Sequence, residues 1–249
     1  MHDFFQFHFT FSFLFLFPAA VLCYTDYNNL TGSEKMHIPK TESQLVSIEP
    51  FETALKESLI QSHIEYDVRD WLYVPNHYGE YRYILGTTGK NPLICIGINP
   101  STAAPNDLDN TLKSVERIAL FNGFDSFIMF NVYAQRATRP DDMDREMNKA
   151  LHRENMKAFE YVLSLYEKEK PSVWAAWGNI IEMRPYLRDC LRDMIDISDR
   201  YGARWYTAGA ISKKGHPHHP LYLRKDTVID PFDAEKYLRQ VLRFEPATK

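Results

Sequence analysis

Cysteine is scarce in this chain, and neither sign of charge dominates. Its 249 residues include three cysteines and 29 basic against 33 acidic side chains, for a formal charge of −4. Three cysteines are too few for a disulfide framework, and Cys95 and Cys190 lie within apolar patterns, so we predict a reducing, cytoplasmic location. An acidic chain has no overall electrostatic reason to hold a phosphate backbone, so contact with nucleic acid would need a local basic patch.

Long apolar runs are also absent, except in the first 35 residues. There, the segment from Phe4 to Phe17 is mostly aromatic or aliphatic. No Lys or Arg precedes this run and no convincing cleavage site follows it, which argues against a secretory signal, and the run is shorter than the roughly 20 residues that a bilayer requires. Two interpretations remain, a hydrophobic leader that leaves secretion open and a non-native extension before Met36. We expect no membrane contact for the main domain.

The sequence contains no internal repeat, and its histidines do not form a metal-binding motif. His216, His218 and His219 lie within four residues, but Pro217 interrupts them and no cysteine or carboxylate pair lies nearby. A structural zinc site needs four such ligands in a tetrahedral arrangement. We therefore predict neither a metal nor another cofactor.

Strand-like and helix-like segments alternate along most of the chain. Residues 36–67 are interpreted as a linker with a short helix from Phe51 to Ser62, and residues 68–246 as one α/β domain that opens with a short strand at Tyr81–Leu85. Four apolar runs have the continuous character of strands buried on both faces: Leu93–Ile98, Ser126–Phe130, Val173–Trp177 and Arg204–Ala208. Helical patterns separate or follow these runs, at residues 112–121, 142–169 and 184–200 and after Asp230-Pro231. The alternation predicts a three-layer α/β/α fold with a mainly parallel, roughly four-stranded sheet.

Polar side chains follow each of the four buried runs. In an open parallel sheet, ligands bind beyond the carboxyl ends of the strands, so the loops at these ends form the expected site. The candidate residues are Gly97, Asn99, Pro100, Ser101, Thr102, Asn131, Tyr133, Arg136, Trp177, Lys213, Lys214, His216 and His219. Several of them also have an ordinary structural explanation, because Asn-Pro favours turns and a Trp-Gly strand end favours packing.

Five motifs in one order resemble a known sequence family. They are Asn99–Ala103, Asp107–Thr111, Asn131–Thr138, Ala175–Gly178 and His219–Tyr222. Together they cover about residues 81–223 and are similar to the family called domain of unknown function 1643. Asn110 departs from the family pattern, which has a proline before Thr111.

A more distant resemblance is to the uracil-DNA-glycosylase superfamily. It rests on four segments in the same order, Gly97-Ile98-Asn99-Pro100, Phe130-Asn131, Trp177-Gly178 and His219-Pro220. Ser101 stands where the superfamily has glycine after Asn-Pro. The loop that contains both His216 and His219 is longer than its counterpart, so either histidine can take the functional position.

The superfamily resemblance implies a glycosylase-like fold and a role for each loop. Asn99 would hold a water molecule, and His219 would stabilise charge on a departing base. Asn131 would bind the edge of the base through its amide. Stacking would come from Tyr133 or Phe130, and the phosphate contacts would be Arg136, Lys213 and Lys214.

Three functions follow from these residues. The first is hydrolysis of the N-glycosidic bond of a nucleobase in nucleic acid. The alternative is a non-catalytic module that binds a nucleotide, a base or a small anion. A hydrolase with Ser101 or Thr102 as nucleophile ranks last, because neither lies in a Gly-x-Ser-x-Gly turn.

A basic strip of Arg136, Lys213, Lys214 and Arg224 would favour nucleic acid, and its absence would favour a small ligand. The oligomeric state is not indicated.

Overall fold

The four buried runs form the centre of a seven-stranded sheet in the computed structural model, which describes residues 36–61, 65–166 and 169–244. The strands are β1 (Trp71–Val74), β2 (Ile84–Thr87), β3 (Pro92–Gly97), β4 (Ser126–Asn131), β5 (Ser172–Ala175), β6 (Arg204–Ala208) and β7 (Ile229–Pro231). Their spatial order is β1-β2-β4-β3-β5-β6-β7. The interpretations of residues 1–35 concern a segment outside the described residues.

Four neighbouring strands, β4, β3, β5 and β6, are parallel, as predicted. The sheet is nevertheless larger and more mixed than predicted, because β1, β2 and β7 extend its two edges through antiparallel pairs. The run at Tyr81–Leu85 contributes only its last two residues to β2. These edge strands are short, and their pairing depends on distant segments, so the local pattern underestimates the sheet.

The Asp230-Pro231 pair belongs to β7 and does not begin a helix. Asp230 pairs with Thr207 of β6. The helix that follows, α5 (Ala234–Gln240), is instead capped by Asp233, whose side chain accepts a hydrogen bond from the Lys236 amide. Proline is tolerated in β7 because an edge strand pairs on one side only.

Helices cover both faces of the sheet. One face is covered by α2 (Asn110–Phe121), and we call it the α2 face. The opposite face carries α5 and three further helices, α1 (Phe51–Ser58), α3 (Lys149–Ser164) and α4 (Pro185–Arg200). Leu93 of β3 packs on the α2 face and Ile94 on the opposite one, as the alternation of a strand buried on both faces requires. Within the described residues, no helix combines the length and apolar character needed to cross a membrane.

The helix α3 begins later than its sequence pattern predicts. The predicted helix covered residues 142–169, whereas Asn148 caps α3 by accepting hydrogen bonds from the Ala150 and Leu151 amides. The loop before it is ordered around buried Asp144, whose carboxylate accepts hydrogen bonds from Ser43, Tyr133 and Gln135. These polar contacts stabilise a non-helical backbone before the cap.

Residues 36–61 pack into the domain and are not a linker that precedes it. The compact unit begins at Met36, and Phe51 in this segment is only 3% exposed. The Phe51 amide donates to Glu154 of α3 at 3.0 Å, and the Ser43 amide donates to Asp144 at 2.9 Å. The structure therefore places the start of the domain at Met36 instead of residue 68, because these contacts join the segment to distant parts of the chain.

Replacing Phe51 with alanine should destabilise the protein strongly. The Phe51 ring contacts Tyr83 and Tyr161 at centroid distances of 5.9 and 5.7 Å. Emptying such a core position costs about 3–5 kcal/mol, measured as the free energy of unfolding in chemical denaturation. Leu59→Ala is the matched control, because Leu59 caps the same helix and is 54% exposed. It should change stability by no more than about 0.5 kcal/mol. Equal losses for both variants would contradict the core assignment.

Candidate functional site

The ends of β3 and β4 place two of the predicted loops side by side. Gly97 and Asn131 are directly paired at the last position of the two strands. The pairing continues past the strands, because the Val132 and Tyr133 amides donate to the carbonyls of Gly97 and Ile98, each at 2.9 Å. The loop after β3 is thereby held against the loop after β4.

Asn131 presents a buried amide that has no partner among the described residues. The residue is 1% exposed, and neither its side-chain nitrogen nor its oxygen makes a hydrogen bond. A Cβ atom added to Gly97 would lie 3.1 Å from Asn131 Oδ1 and 2.5 Å from Met129 Cε. Glycine at position 97 therefore leaves room for the Asn131 side chain on the α2 face. A buried amide without a partner costs about 1–3 kcal/mol, which a ligand that pairs with it can recover.

Asn99 is fixed by the loop after β4. Its side-chain nitrogen donates to the carbonyl of Ala137 at 2.6 Å and to that of Pro100 at 3.1 Å. Pro100 is buried, and its carbonyl also accepts from the Ala137 amide at 2.9 Å. Both amide hydrogens of Asn99 are used in this way, so its carboxamide oxygen remains as an acceptor for a water molecule or a ligand.

Ser101 and Thr102 continue this loop, and both are partly buried. The Ser101 hydroxyl donates to Thr138 Oγ1 at 3.3 Å. A nucleophilic serine would need a hydrogen bond to a base such as histidine. The contact to Thr138 gives no support to the hydrolase in which Ser101 attacks.

His219 lies at the amino end of a short 3-10 turn, Pro220–Tyr222, that packs against α2. Its Nδ1 atom accepts a hydrogen bond from the Leu221 amide at 3.4 Å, so the proton of the neutral ring is on Nε2. Burial lowers the pKa of His219 to about 4, although the charge of Asp109 acts in the opposite direction. At neutral pH the ring is therefore an uncharged hydrogen-bond donor on the α2 face.

Arg136 and a residue that sequence reasoning missed, Arg82, are buried close to these loops. Arg82 is 1% exposed and Arg136 is 0% exposed. Both donate to the carbonyl of Ala103, and Arg136 also donates to that of Ser101. Arg82 lies in the aromatic run after Tyr81, and a charge in such a run is the signal that could have identified it. We call Asn99, Asn131, Arg82, Arg136 and His219 the edge site.

The side chains of His216 and Trp177 lie on the face of the sheet opposite Asn131. His216 is fully buried, with Nδ1 2.8 Å from the Tyr237 hydroxyl and Nε2 3.2 Å from Glu182 Oε1. The indole of Trp177 donates to the same hydroxyl at 3.0 Å. Because Tyr237 belongs to α5, both residues pack on the face opposite α2. Of the two candidate histidines, the structure brings His219 to the same face as Asn131.

The two aromatic residues expected to stack on a base are core residues instead. Tyr133 is fully buried, and its hydroxyl donates to Asp144 at 2.8 Å and accepts from the Asn148 amide at 3.0 Å. Phe130 packs on Phe159 of α3 at a centroid distance of 5.1 Å. Both side chains therefore lie on the face opposite α2, because the strand alternation changes where β4 ends.

The basic strip considered for nucleic acid does not form among the described residues. Lys214 is paired with Glu182 at 2.5 Å, and Arg224 is paired with Asp226 at 2.9 Å. Arg136 is buried, which leaves Lys213 as an exposed cation on its own. At these four positions, a phosphate backbone would meet one exposed cation that is not already paired with a carboxylate.

The edge site coincides with neither a metal-binding cluster of the described residues nor either of two surface recesses. No group of three or more His, Cys, Asp or Glu residues in the described ranges could hold a metal ion. Two surface recesses, of about 720 and about 600 Å³, are lined by residues around Asn148 and around Trp71, and their linings include neither Asn131 nor His219. Asn131, Arg82 and Arg136 are at most 1% exposed, so a ligand reaches these three side chains only when covering side chains move.

The fold and its loops define an α/β protein with polar groups gathered at the carboxyl edge of its parallel strands. The family described as protein of unknown function, DUF1643, matches residues 82–221, which is more than half of the chain. The chain belongs to this family, as its motifs predicted. Neither the curated proteins nor the solved structures contain a significant match. The likeness to the uracil-DNA-glycosylase superfamily thus stays a prediction.

Acidification should destabilise the protein through His219. Its pKa is about 4 when folded and 6.5 in an unperturbed histidine, so the unfolded chain takes up the proton first. The stabilisation from the neutral ring is fully present above about pH 6.5 and is lost as the pH falls towards 4. The shift corresponds to about 3 kcal/mol, at about 1.4 kcal/mol for each pKa unit.

Denaturation of the full chain at pH values between about 7 and 4 measures this effect. His219→Gln should flatten the decline in unfolding free energy by about 3 kcal/mol. His77→Gln, a change at an exposed histidine, should leave the decline as it is. Parallel curves for the wild type and His219→Gln would show that His219 is not held neutral.

Proposed function

We propose that the chain binds a small anion that carries a nucleobase, such as a free nucleotide, at the edge site. The observation that carries this proposal is the unpartnered Asn131 amide, which is 1% exposed. A carboxamide offers one donor and one acceptor side by side, which is the pattern that pairs with the edge of a base. In the predicted resemblance to the glycosylase superfamily, Asn131 corresponds to the residue that reads the base.

A small ligand is favoured over nucleic acid by the charges of the chain. The formal charge is −4, and Lys214 and Arg224 are neutralised by neighbouring carboxylates. Nucleic-acid binding depends on cations that replace the counterions of many phosphates. A single nucleotide needs only one anion site, and the buried Arg136 supplies a cation beside the same loop.

Hydrolysis of an N-glycosidic bond is the second candidate, and Asn99 is the observation that favours it. Its free carboxamide oxygen can accept a hydrogen bond from the water that attacks the sugar carbon, while the carbon–nitrogen bond to the base breaks. The neutral His219 ring would donate a hydrogen bond to the departing base anion without transferring its proton. The proton released by the water would pass to the base or to solvent. Asparagine is a weak base, so the bond would break largely before water adds.

Replacing Asn131 with leucine should raise stability and weaken nucleotide binding together. An apolar residue of similar shape removes the unsatisfied amide, so the free energy of unfolding should rise by about 1–3 kcal/mol. The affinity for the preferred nucleotide should fall about 5- to 150-fold, since a paired base edge contributes about 1–3 kcal/mol. Titration calorimetry with the nucleoside 5′-monophosphates of the common bases, and of hypoxanthine, measures the affinity.

The control is Asn179→Leu, which changes an exposed asparagine in the loop after β5. It should leave nucleotide affinity unchanged. A loss of stability in Asn131→Leu would show that its amide is a structural group with a partner. Tight binding that survives Asn131→Leu would place the base elsewhere.

Base release tests the second candidate directly. The full chain is incubated with nucleotides and with single- and double-stranded oligonucleotides that carry uracil, hypoxanthine or mismatched bases, and free base is measured by chromatography. Asn99→Ala should lower any release about 100-fold or more, as expected when a group that acts only in the transition state is lost. Asn179→Ala should not lower it. Nucleotide binding without any release would establish a binding protein.

A further inference from the structure

Two arginine side chains lie next to each other inside the protein. Arg82 Nη1 donates to the carbonyl oxygen of Ala103 at 3.0 Å, and Arg136 Nη1 donates to the same oxygen at 3.3 Å. Two donors on one oxygen atom make the guanidinium groups neighbours. Both residues are at most 1% exposed, so two like charges share a buried space.

The described residues do not neutralise this pair. Arg136 also donates to the Ser101 carbonyl and, at 2.9 Å, to the Tyr73 hydroxyl. No carboxylate in the described part of the chain forms an ion pair with either arginine, and the Nε atom of each has no acceptor. Burial and the neighbouring charge of Arg136 together lower the pKa of Arg82 to about 9. A buried cation without a counter-charge is costly, and an anion that takes up the free donors would offset that cost.

The nearest acidic groups are engaged elsewhere. Asp109 raises the pKa of Arg82 by its charge, but its carboxylate caps α2 through the Leu112 amide at 2.9 Å. Glu80 lies near Arg136, but its carboxylate contacts His37 Nε2 at 3.3 Å and the Lys40 amide at 3.4 Å. The two guanidinium charges therefore remain available to pair with an external anion.

We propose that Arg82 and Arg136 hold the phosphate group of the bound nucleotide, an inference that rests on the proposed function. Guanidinium groups are planar and always charged, and they match phosphate oxygens with two donors at once. The pair borders the loop from Gly97 to Ala103, which Asn131 also borders from the other end. A base on Asn131 and a phosphate on the arginines would thus contact the same loop.

Tyr78 covers Arg136 on the side of solvent. Its ring lies 4.2 Å from Arg136 Cζ, and the residue is 50% exposed while Arg136 is 0% exposed. Its hydroxyl is 3.0 Å from His37 Nδ1. Displacement of this half-exposed ring would uncover the face of the Arg136 guanidinium against which it lies.

The test compares nucleosides with their 5′-monophosphates in titrations of the full chain. The ratio of the two affinities isolates the phosphate from the base. We expect the wild type to favour the monophosphate about 100-fold, and Arg82→Lys and Arg82→Met to lower this ratio at least about tenfold without changing nucleoside affinity. Arg69→Met is the control, since Arg69 is exposed and paired with Asp67. It should leave the ratio unchanged.

Three results would overturn the arginine site. The first is a wild-type ratio of monophosphate affinity to nucleoside affinity that is near one. The second is a ratio that stays unchanged in the Arg82 variants but falls in Lys213→Met. If the Arg82 variants do not fold, the arginine site is tested by competition between inorganic phosphate and the nucleotide in the wild type. Inorganic phosphate should weaken binding of the monophosphate but not of the nucleoside, and no competition is the third such result. If nucleosides still bind when one of these three results is found, only the arginine site is rejected and the proposed function stands. If the wild type binds no nucleoside, the proposed function itself is rejected.

Discussion

The parallel pairing of β3 with β4 is the interaction on which the rest of the edge site depends. It brings Gly97 opposite Asn131 and continues into both loops through the Val132 and Tyr133 amides. The Asn-Pro loop is held against its neighbour by backbone hydrogen bonds, so side chains are free for other contacts. The side-chain amide of Asn99 then joins the same two loops by donating to the Ala137 carbonyl. A slip of one residue would turn Asn131 towards the opposite face, because side chains alternate along a strand.

Buried polar groups differ in how fully the described residues satisfy them. On the face opposite α2, Asp144 accepts hydrogen bonds from three side chains and His216 contacts Tyr237 and Glu182, although His152 Nδ1 and Asn155 Oδ1 make no hydrogen bond. On the α2 face, both polar atoms of the Asn131 side chain and the Nε atoms of both arginines have no partner among the described residues. Buried polar groups are usually satisfied, and those that are not commonly mark a functional site. Asn131 stands out because both the donor and the acceptor of its buried side chain are left without a partner among the described residues, at the carboxyl edge of the parallel strands.

The sequence predicts the part of this fold that has a strong local signal. The four continuous apolar runs became the parallel strands, and the Asn-Pro, Asn and His-Pro loops were brought to one edge. Local pattern failed where a distant partner decides, as in β7, where Asp230-Pro231 resembles a helix start. It also failed beyond a strand end, where Tyr133 follows Asn131 by two residues yet lies on the other face. Arg82 was missed because burial of a charge depends on tertiary contacts.

Asp109 lies within electrostatic range of both Arg82 and His219, and its charge raises the pKa of each. The two ends of the edge site therefore share one electrostatic neighbourhood. An anion that binds at the arginines adds negative charge to it, which makes protonation of His219 more favourable. Ligand association and proton uptake would then be thermodynamically linked, and the heat of binding would vary with the ionisation enthalpy of the buffer. The occupancy of the arginines and the proton affinity of His219 would thus influence each other through charge alone.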